Sequence, residues 1–429
     1  MPNRIQVFEH GALAVGEDGF QPSQFAALVR YNDLHGCKFF RVGYNRLHFG
    51  SFVGVIQVGD LAIEILPKLE SEAAAEKGKW QRALLQMLRQ CGLLTVEVAP
   101  DADLHLNQSP LVDVYLNAFL SEVEHLTHSG LAKRYRLTEG NLYKLKGRIQ
   151  FAQHVRRNLL HRERMFTAHQ IYDRDNPFNR VLKCALGIVG NLAVCPSLVA
   201  RAVASLLWFE QVNDTRISVN TFERLRFDRN TERYRRALQL ARLIILTYSP
   251  DLRGGNEHVV AILFDMNKLF ERFILAQLYR AAPQFADRKL HVDGQVSKLF
   301  WSSKTIRPDI VASFESDSAP ARVILDTKWK IPKDGLPADD DLKQMYAYNL
   351  HLGGHRSVLV YPWAGVHQTG IYRPYAQSAS LPAKHTHGCA TFYINLFDAN
   401  HRLRRDIGEE LIQTAILGSS VGVTAGWSE

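Results

Sequence analysis

Long hydrophobic runs are missing from this 429-residue chain. No stretch approaches the ~18 uncharged apolar residues of a membrane helix, so no bilayer span is expected. The opening Met-Pro-Asn-Arg-Ile-Gln-Val-Phe-Glu lacks a basic region followed by an apolar core, so no secretory signal is expected either. Cysteine is scarce. Cys37, Cys91, Cys184, Cys195 and Cys389 are scattered, odd in number and form no Cys-x-x-Cys pair. That excludes a disulfide framework and suits a reducing, cytoplasmic setting. Also missing is any G-x-x-x-x-G-K-[ST] loop to cradle phosphates, so the chain is not expected to hydrolyse nucleotides itself.

What is present is ordinary for a globular protein: 46% hydrophobic and 22% charged residues, enough for two or three domains. The formal net charge of +9 favours an anionic partner, and nucleic acid is the commonest one.

Taken in order, residues 1–69 read as a β-rich domain. Phe52 to Val58 and Leu61 to Leu66 form a hairpin around Gly59-Asp60, a pair suited to a tight primed turn. Residues 70–79 are polar and read as a linker or an exposed helix start. A mostly helical, basic middle region spans 70–250. Helices are expected over Trp80 to Gln90, Pro110 to Ser129, Pro177 to Val194 and Glu232 to Thr247. Residues 131–165 are the most basic part. Lys144, Lys146, Arg148, Arg156 and Arg157 stand among Tyr135, Tyr143 and Phe151, a mixture that suits nucleic-acid backbone, an acidic protein surface or plain solvent. Asp173 and Asp175 read as a capped turn before a helix rather than as metal ligands. Pro250 and Gly254-Gly255 mark a boundary, after which a third domain runs over 257–416, with a frayed tail at 417–429.

That third domain holds the chemistry. Arg307-Pro308-Asp309-Ile310-Val311 and Val323-Ile324-Leu325-Asp326-Thr327-Lys328 read as strands flanking a turn at 316–320. Alternate residues share a strand face, so Asp326 and Lys328 point the same way from an otherwise apolar strand. Such charges are costly unless paired, hydrated or metal-bound. With Asp309 alongside, two carboxylates and a lysine form the set that metal-assisted phosphodiester cleavage needs. A helix over Phe264 to Ile274 precedes them, and one over Asp341 to Tyr348 follows, with Gln344 and Tyr348 on one face.

This order resembles the PD-(D/E)xK nuclease superfamily and its RecB-like branch. The strings Phe264-Asp265-Met266-Asn267-Lys268-Leu269-Phe270-Glu271, Leu325-Asp326-Thr327-Lys328-Trp329-Lys330 and Gln344-Met345-Tyr346-Ala347-Tyr348 resemble the McrC family more closely. Ile65-Leu66-Pro67-Lys68 and Gly147-Arg148-Ile149 also fit it. The resemblance implies a multidomain α+β protein with a C-terminal α/β restriction-endonuclease-like domain. It implies an Mg²⁺- or Mn²⁺-dependent DNA endonuclease subunit of a modified-cytosine-directed restriction system. Asp309 and Asp326 would ligate metal, with Glu271 as a third ligand and Asp265 behind it. Lys328 would assist the attacking water, Gln344 would position the site, and Tyr348 would lie near DNA or pack against the sheet. The implied partner is an McrB-like AAA+ GTPase that binds the GTP, has its hydrolysis stimulated and carries the modified-base reader. The front of the chain would dock on it, and removing about 70 residues would leave the nuclease fold intact. The rival readings are a non-catalytic adaptor of a partner NTPase and a free-standing RecB-like exonuclease. His385-x-His387-x-Cys389 looks metallic but lacks a nearby fourth ligand and reads as a turn before the strand Thr391 to Leu396.

Overall fold

The computed structural model describes residues 3–69, 77–94, 110–249, 258–315, 320–332, 335–354, 356–363, 370, 372–375 and 387–418. Its front sheet has the strand order Asn3–Phe8, Leu61–Leu66, Phe52–Val58, Val259–Asp265, Tyr248–Ser249. The hairpin forms as expected, closing on Val58 opposite Leu61 with Gly59 at φ 57 in the turn.

Its strands are buried on both faces, and their alternation shows why. Ile56, Val58, Leu61, Ile63 and Ile65 pack with Leu28 and Tyr31 of helix Pro22–Leu34, which lies among residues read from sequence as β-rich. Val53, Val55, Ala62 and Leu66 face Leu84, Leu88, Tyr115 and Phe119 from helices Lys77–Gln90 and Leu111–His128. The one carboxylate in this apolar strand pair, Glu64, is fully buried. It accepts from Arg4 (2.6 Å), Gln6 (2.9 Å) and the backbone N–H of Leu111 (2.9 Å), so the second helix starts on a negative charge.

The sequence boundary at 249–256 falls largely on residues outside those described. On both sides of it the chain lies in the front sheet. Val259–Asp265 runs antiparallel along the whole of Phe52–Val58. Gly54 permits this approach: at φ 134, a Cβ there would stand 2.1 Å from the Ile262 carbonyl oxygen. Phe264 and Asp265, read as helical, therefore end a strand, and the helix is Met266–Ala281.

Between these parts, helices Leu111–His128, Pro177–Leu192, Pro196–Leu206 and Arg235–Thr247 share the same core. The basic region forms an arm: a three-stranded sheet of Arg134–Leu142, Met165–Asp173 and Arg148–Ile149, with helix Phe151–Asn158.

The C-terminal sheet has six strands among the described residues, in the order His291–Gly294, Ile310–Glu315, Pro320–Thr327, Arg356–Trp363, Gly388–Asn395, Tyr372–Pro374. Pro320–Thr327 pairs antiparallel with Ile310–Glu315 and parallel with Arg356–Trp363. Val323 and Leu325 face Phe270, Phe273 and Ile274 of helix Met266–Ala281. Ile324 faces Met345, Tyr348 and Leu352 of helix Asp339–Leu352. By the same alternation Asp326 and Lys328 point toward the latter helix. No described helix is long and apolar enough to cross a membrane.

Candidate active site

Asp309 immediately precedes strand Ile310–Glu315. Its register pairs Ile310 with Leu325, so one further step sets Asp309 opposite Asp326. Asp309 Oδ2 accepts from the backbone N–H (2.7 Å) and hydroxyl (2.9 Å) of Thr327. Lys328 Nζ lies 2.7 Å from the buried Asp326 Oδ2, close in distance but off the angle of a hydrogen bond, and donates to Gln344 Oε1 at 3.1 Å. Gln344 Nε2 donates to the Tyr348 hydroxyl (2.7 Å), which donates to the Arg307 carbonyl (3.1 Å). The chain of contacts thus closes on the Arg307-Pro308-Asp309 segment where it began. The four catalytic candidates are brought together.

Asp341, on helix Asp339–Leu352, and Gln295, just after strand His291–Gly294, complete the surroundings. Asp341 pairs with Lys330 at 2.6 Å and lies 3.8 Å from Lys328 Nζ. Gln295 donates from its backbone to the Asp309 carbonyl (2.8 Å) and from its amide to Glu271 (2.6 Å), while Arg307 donates to the Gln295 side chain. Asp341, Gln295, Arg307 and Thr327 carry roles that sequence spacing did not mark. From sequence Asp341 was read only as the start of the helix over Asp341 to Tyr348.

The electrostatics follow from this crowding. Burial, then Asp309, push the Asp326 carboxyl up to about 6 against the pull of Lys328. Burial works against the Lys328 charge, but Asp326, Asp341 and Asp309 outweigh it and hold its pKa above the ordinary lysine value. Partial burial and Asp309 likewise raise Glu271, although the Gln295 bond opposes them.

The two adjoining carboxylates, one of them buried with its pKa raised chiefly by that burial, are hard oxygen donors of the kind Mg²⁺ takes. Among the described residues, no three His, Cys, Asp or Glu side chains are gathered into a ready metal cluster. Glu271 stands close enough to act on Asp309 electrostatically, with one oxygen engaged by Gln295. Asp265, the second choice for that role, is instead the cap of helix Met266–Ala281, accepting from the N–H groups of Asn267 and Lys268.

Tyr348 is buried, with its hydroxyl turned inward, so it holds the site together and presents no ring to DNA. Lys144, Lys146, Arg148, Arg156 and Arg157 are exposed on the arm, and Arg157 lies over the Phe166 ring. Asp175 is structural: hydrogen bonding by Arg180 holds it down to about 2, and Asn176 caps helix Pro177–Leu192. His385 lies outside the described residues. The His387 ring packs between Tyr346 and Tyr375, and Gly388 and Cys389 begin a strand, so packing accounts for the string's described part.

Comparison with known proteins adds the following. The family described as McrBC 5-methylcytosine restriction system component matches residues 47–362, well over half of the chain. No curated protein matches. Among solved structures, the chain is similar to one of a refined half-complex from a tetradecameric assembly of Thermococcus gammatolerans McrB AAA+ hexamers with bound McrC. The TM-score is 0.67 at 18% identity, covering 96% of this chain and 99% of that one. A second, the Thermococcus gammatolerans McrBC complex, is matched with a TM-score of 0.49 at 21% identity over 65% of this chain and 88% of that one. At these identities the likeness concerns the fold.

Proposed function

The chain belongs to the McrBC family of 5-methylcytosine restriction system components, and from that premise we propose that it is the nuclease subunit, a metal-dependent DNA endonuclease. The observation that carries this reading is the convergence of Asp309, Asp326 and Lys328 on one strand pair, closed by Gln344 and Tyr348. Such a set has no role in packing: a buried carboxylate beside another carboxylate costs stability and makes sense where a cation joins it.

Asp309 and Asp326 would hold Mg²⁺ or Mn²⁺, with Glu271 as a further oxygen. When bound, the metal supplies an activated water and relieves the charge growing on the scissile phosphate. Thr327 fixes one oxygen of Asp309 through two hydrogen bonds and leaves the other for coordination. Lys328, kept protonated by three carboxylates, orients the water or neutralises the phosphate. Gln344 aims that ammonium group.

The matched assembly holds McrB AAA+ hexamers with bound McrC, and the partner in this reading is an McrB-like AAA+ protein acting as a GTPase. It binds GTP and reads the modified cytosine, and this chain stimulates its hydrolysis. The test is cleavage of methylated duplex DNA with the partner and GTP present. Asp326→Ala should abolish cleavage while the folded variant still stimulates GTP turnover. Full cleavage by that variant would refute the site. Loss of stimulation as well, in a folded protein, would refute the division of labour. Wild-type chain that never cleaves but still stimulates would establish an adaptor instead.

A further inference from the structure

Just before Arg307 the chain makes a small hairpin, Lys298–Trp301 with Lys304–Ile306, turning at Ser302-Ser303 with Ser302 at φ 49. It forms a two-stranded sheet apart from the six-stranded one. All four residues of its first strand are exposed, Trp301 by 72% and Leu299 by 66%. An isolated hairpin with large apolar side chains facing water is costly in solubility and has no core to build.

Its base is tied to the site. Arg307 donates to Gln295, and Gln295 donates to Glu271 and to the Asp309 carbonyl. Its first strand leans on the helix that carries Gln344: Lys298 donates to the His351 carbonyl at 2.6 Å, and the Phe300 ring meets His351 at 4.8 Å. Residues 294–308 contain Lys298, Lys304 and Arg307 and no carboxylate. Trp301 pairs with Lys304, five residues before Asp309, so at strand rise Lys304 lies within about 17 Å of that residue and Trp301, one strand spacing across, within about 22 Å. That is about six to seven base-pair steps, inside one duplex turn.

Resting on the nuclease reading above, we propose that this hairpin is a DNA-contacting wedge: Trp301 stacks on or between bases near the scissile phosphate, with Lys298, Lys304 and Arg307 on the adjoining backbone. Apolar wedges unstack a base step and bend the duplex, and flanking cations supply the backbone contacts. The rigid coupling through Gln295 and Arg307 transmits that bend to the phosphate beside Asp309.

The test measures binding of the full chain to a fluorescently labelled DNA duplex, with Ca²⁺ replacing Mg²⁺ to hold cleavage off. It is read with permanganate reactivity of thymines around the cut and with sedimentation of the free protein. Trp301→Ala should weaken binding roughly tenfold and remove the permanganate-reactive step, while Trp301→Phe keeps most of both. Melting temperatures should stay at the wild-type value, since the side chain is exposed. Unchanged binding and reactivity in Trp301→Ala overturn the wedge and leave the nuclease reading standing. A change in sedimentation with unchanged binding overturns it in favour of a contact between copies. A wild-type chain that neither binds nor cleaves duplex DNA, alone or with its partner, overturns both.

Discussion

The indole N–H of Trp329 donates a 2.7 Å hydrogen bond to Glu9 Oε1, joining the residue after Lys328 to the front sheet across 320 positions of sequence. The same oxygen accepts from the backbone N–H of Lys68 at 2.8 Å, and Trp329 packs edge-on against Trp80 and Phe270. The strand that carries Asp326 is thus clamped, at its exit, by a residue near the start of the chain.

Glu9 makes that clamp sensitive to pH. Burial, opposed by the Lys68 and Trp329 bonds, pushes its carboxyl up to about 7. A folded-state value above the unfolded one means that its stabilising contribution is present in acid and lost as pH rises through about 7. Glu9→Gln retains the acceptor and loses the charge. It should melt close to wild type at pH 5 and higher at pH 8, by a stability difference on the order of 2 kcal/mol. Parallel melting curves for the two proteins across that range would dismiss a titrating Glu9.

Asp326 sets a second pH dependence. With its carboxyl near 6, protons compete with the metal. Mg²⁺ affinity should fall by about tenfold per unit below that pH and level off above it. Without metal, the ionised group costs stability as pH rises through 6. Asp326→Asn should therefore melt no lower than wild type at pH 8, yet show no Mg²⁺-induced rise in melting temperature. A rise equal to wild type would remove Asp326 from the metal site.

Gln344→Ala and Tyr348→Phe each break the link from Lys328 to the Arg307 carbonyl. Cleavage should drop on the order of a hundredfold in kcat for Gln344→Ala, with DNA affinity nearly unchanged, because the loss is one of positioning. Tyr348→Phe keeps the packed ring and should lose less. Equal kcat values for all three proteins would show that the link does nothing for the reaction.

Deleting residues 1–69 should not leave a sound nuclease. Strand Val259–Asp265 would keep only Tyr248–Ser249 as a partner, and Trp329 would lose Glu9. We expect aggregation on gel filtration and rapid proteolysis. A soluble fragment with a cooperative melt would show that the shared sheet is dispensable.

Period and punctuation along the chain are enough to specify several elements. The Gly59-Asp60 hairpin, the helices of the middle region and the alternation that puts Asp326 and Lys328 on one face are all local consequences of side-chain spacing. So is the gathering of the candidate site residues, because they lie on neighbouring strands and one following helix. The tertiary structure decided what local spacing does not encode. Whether Phe264-Asp265 ends a strand or starts a helix depends on Phe52–Val58 lying alongside, made possible by Gly54. Tyr348 was read as a neighbour of DNA or as packing against the sheet, and only its burial against Ile324 and its bond to the Arg307 carbonyl decide for packing. Glu9, just past the first strand, and Glu64, within one, gave no signal at all: a lone glutamate in or beside a strand reads as surface. Only the partners brought from Trp329, Lys68, Arg4, Gln6 and Leu111 supply the donors that make burying a carboxylate affordable.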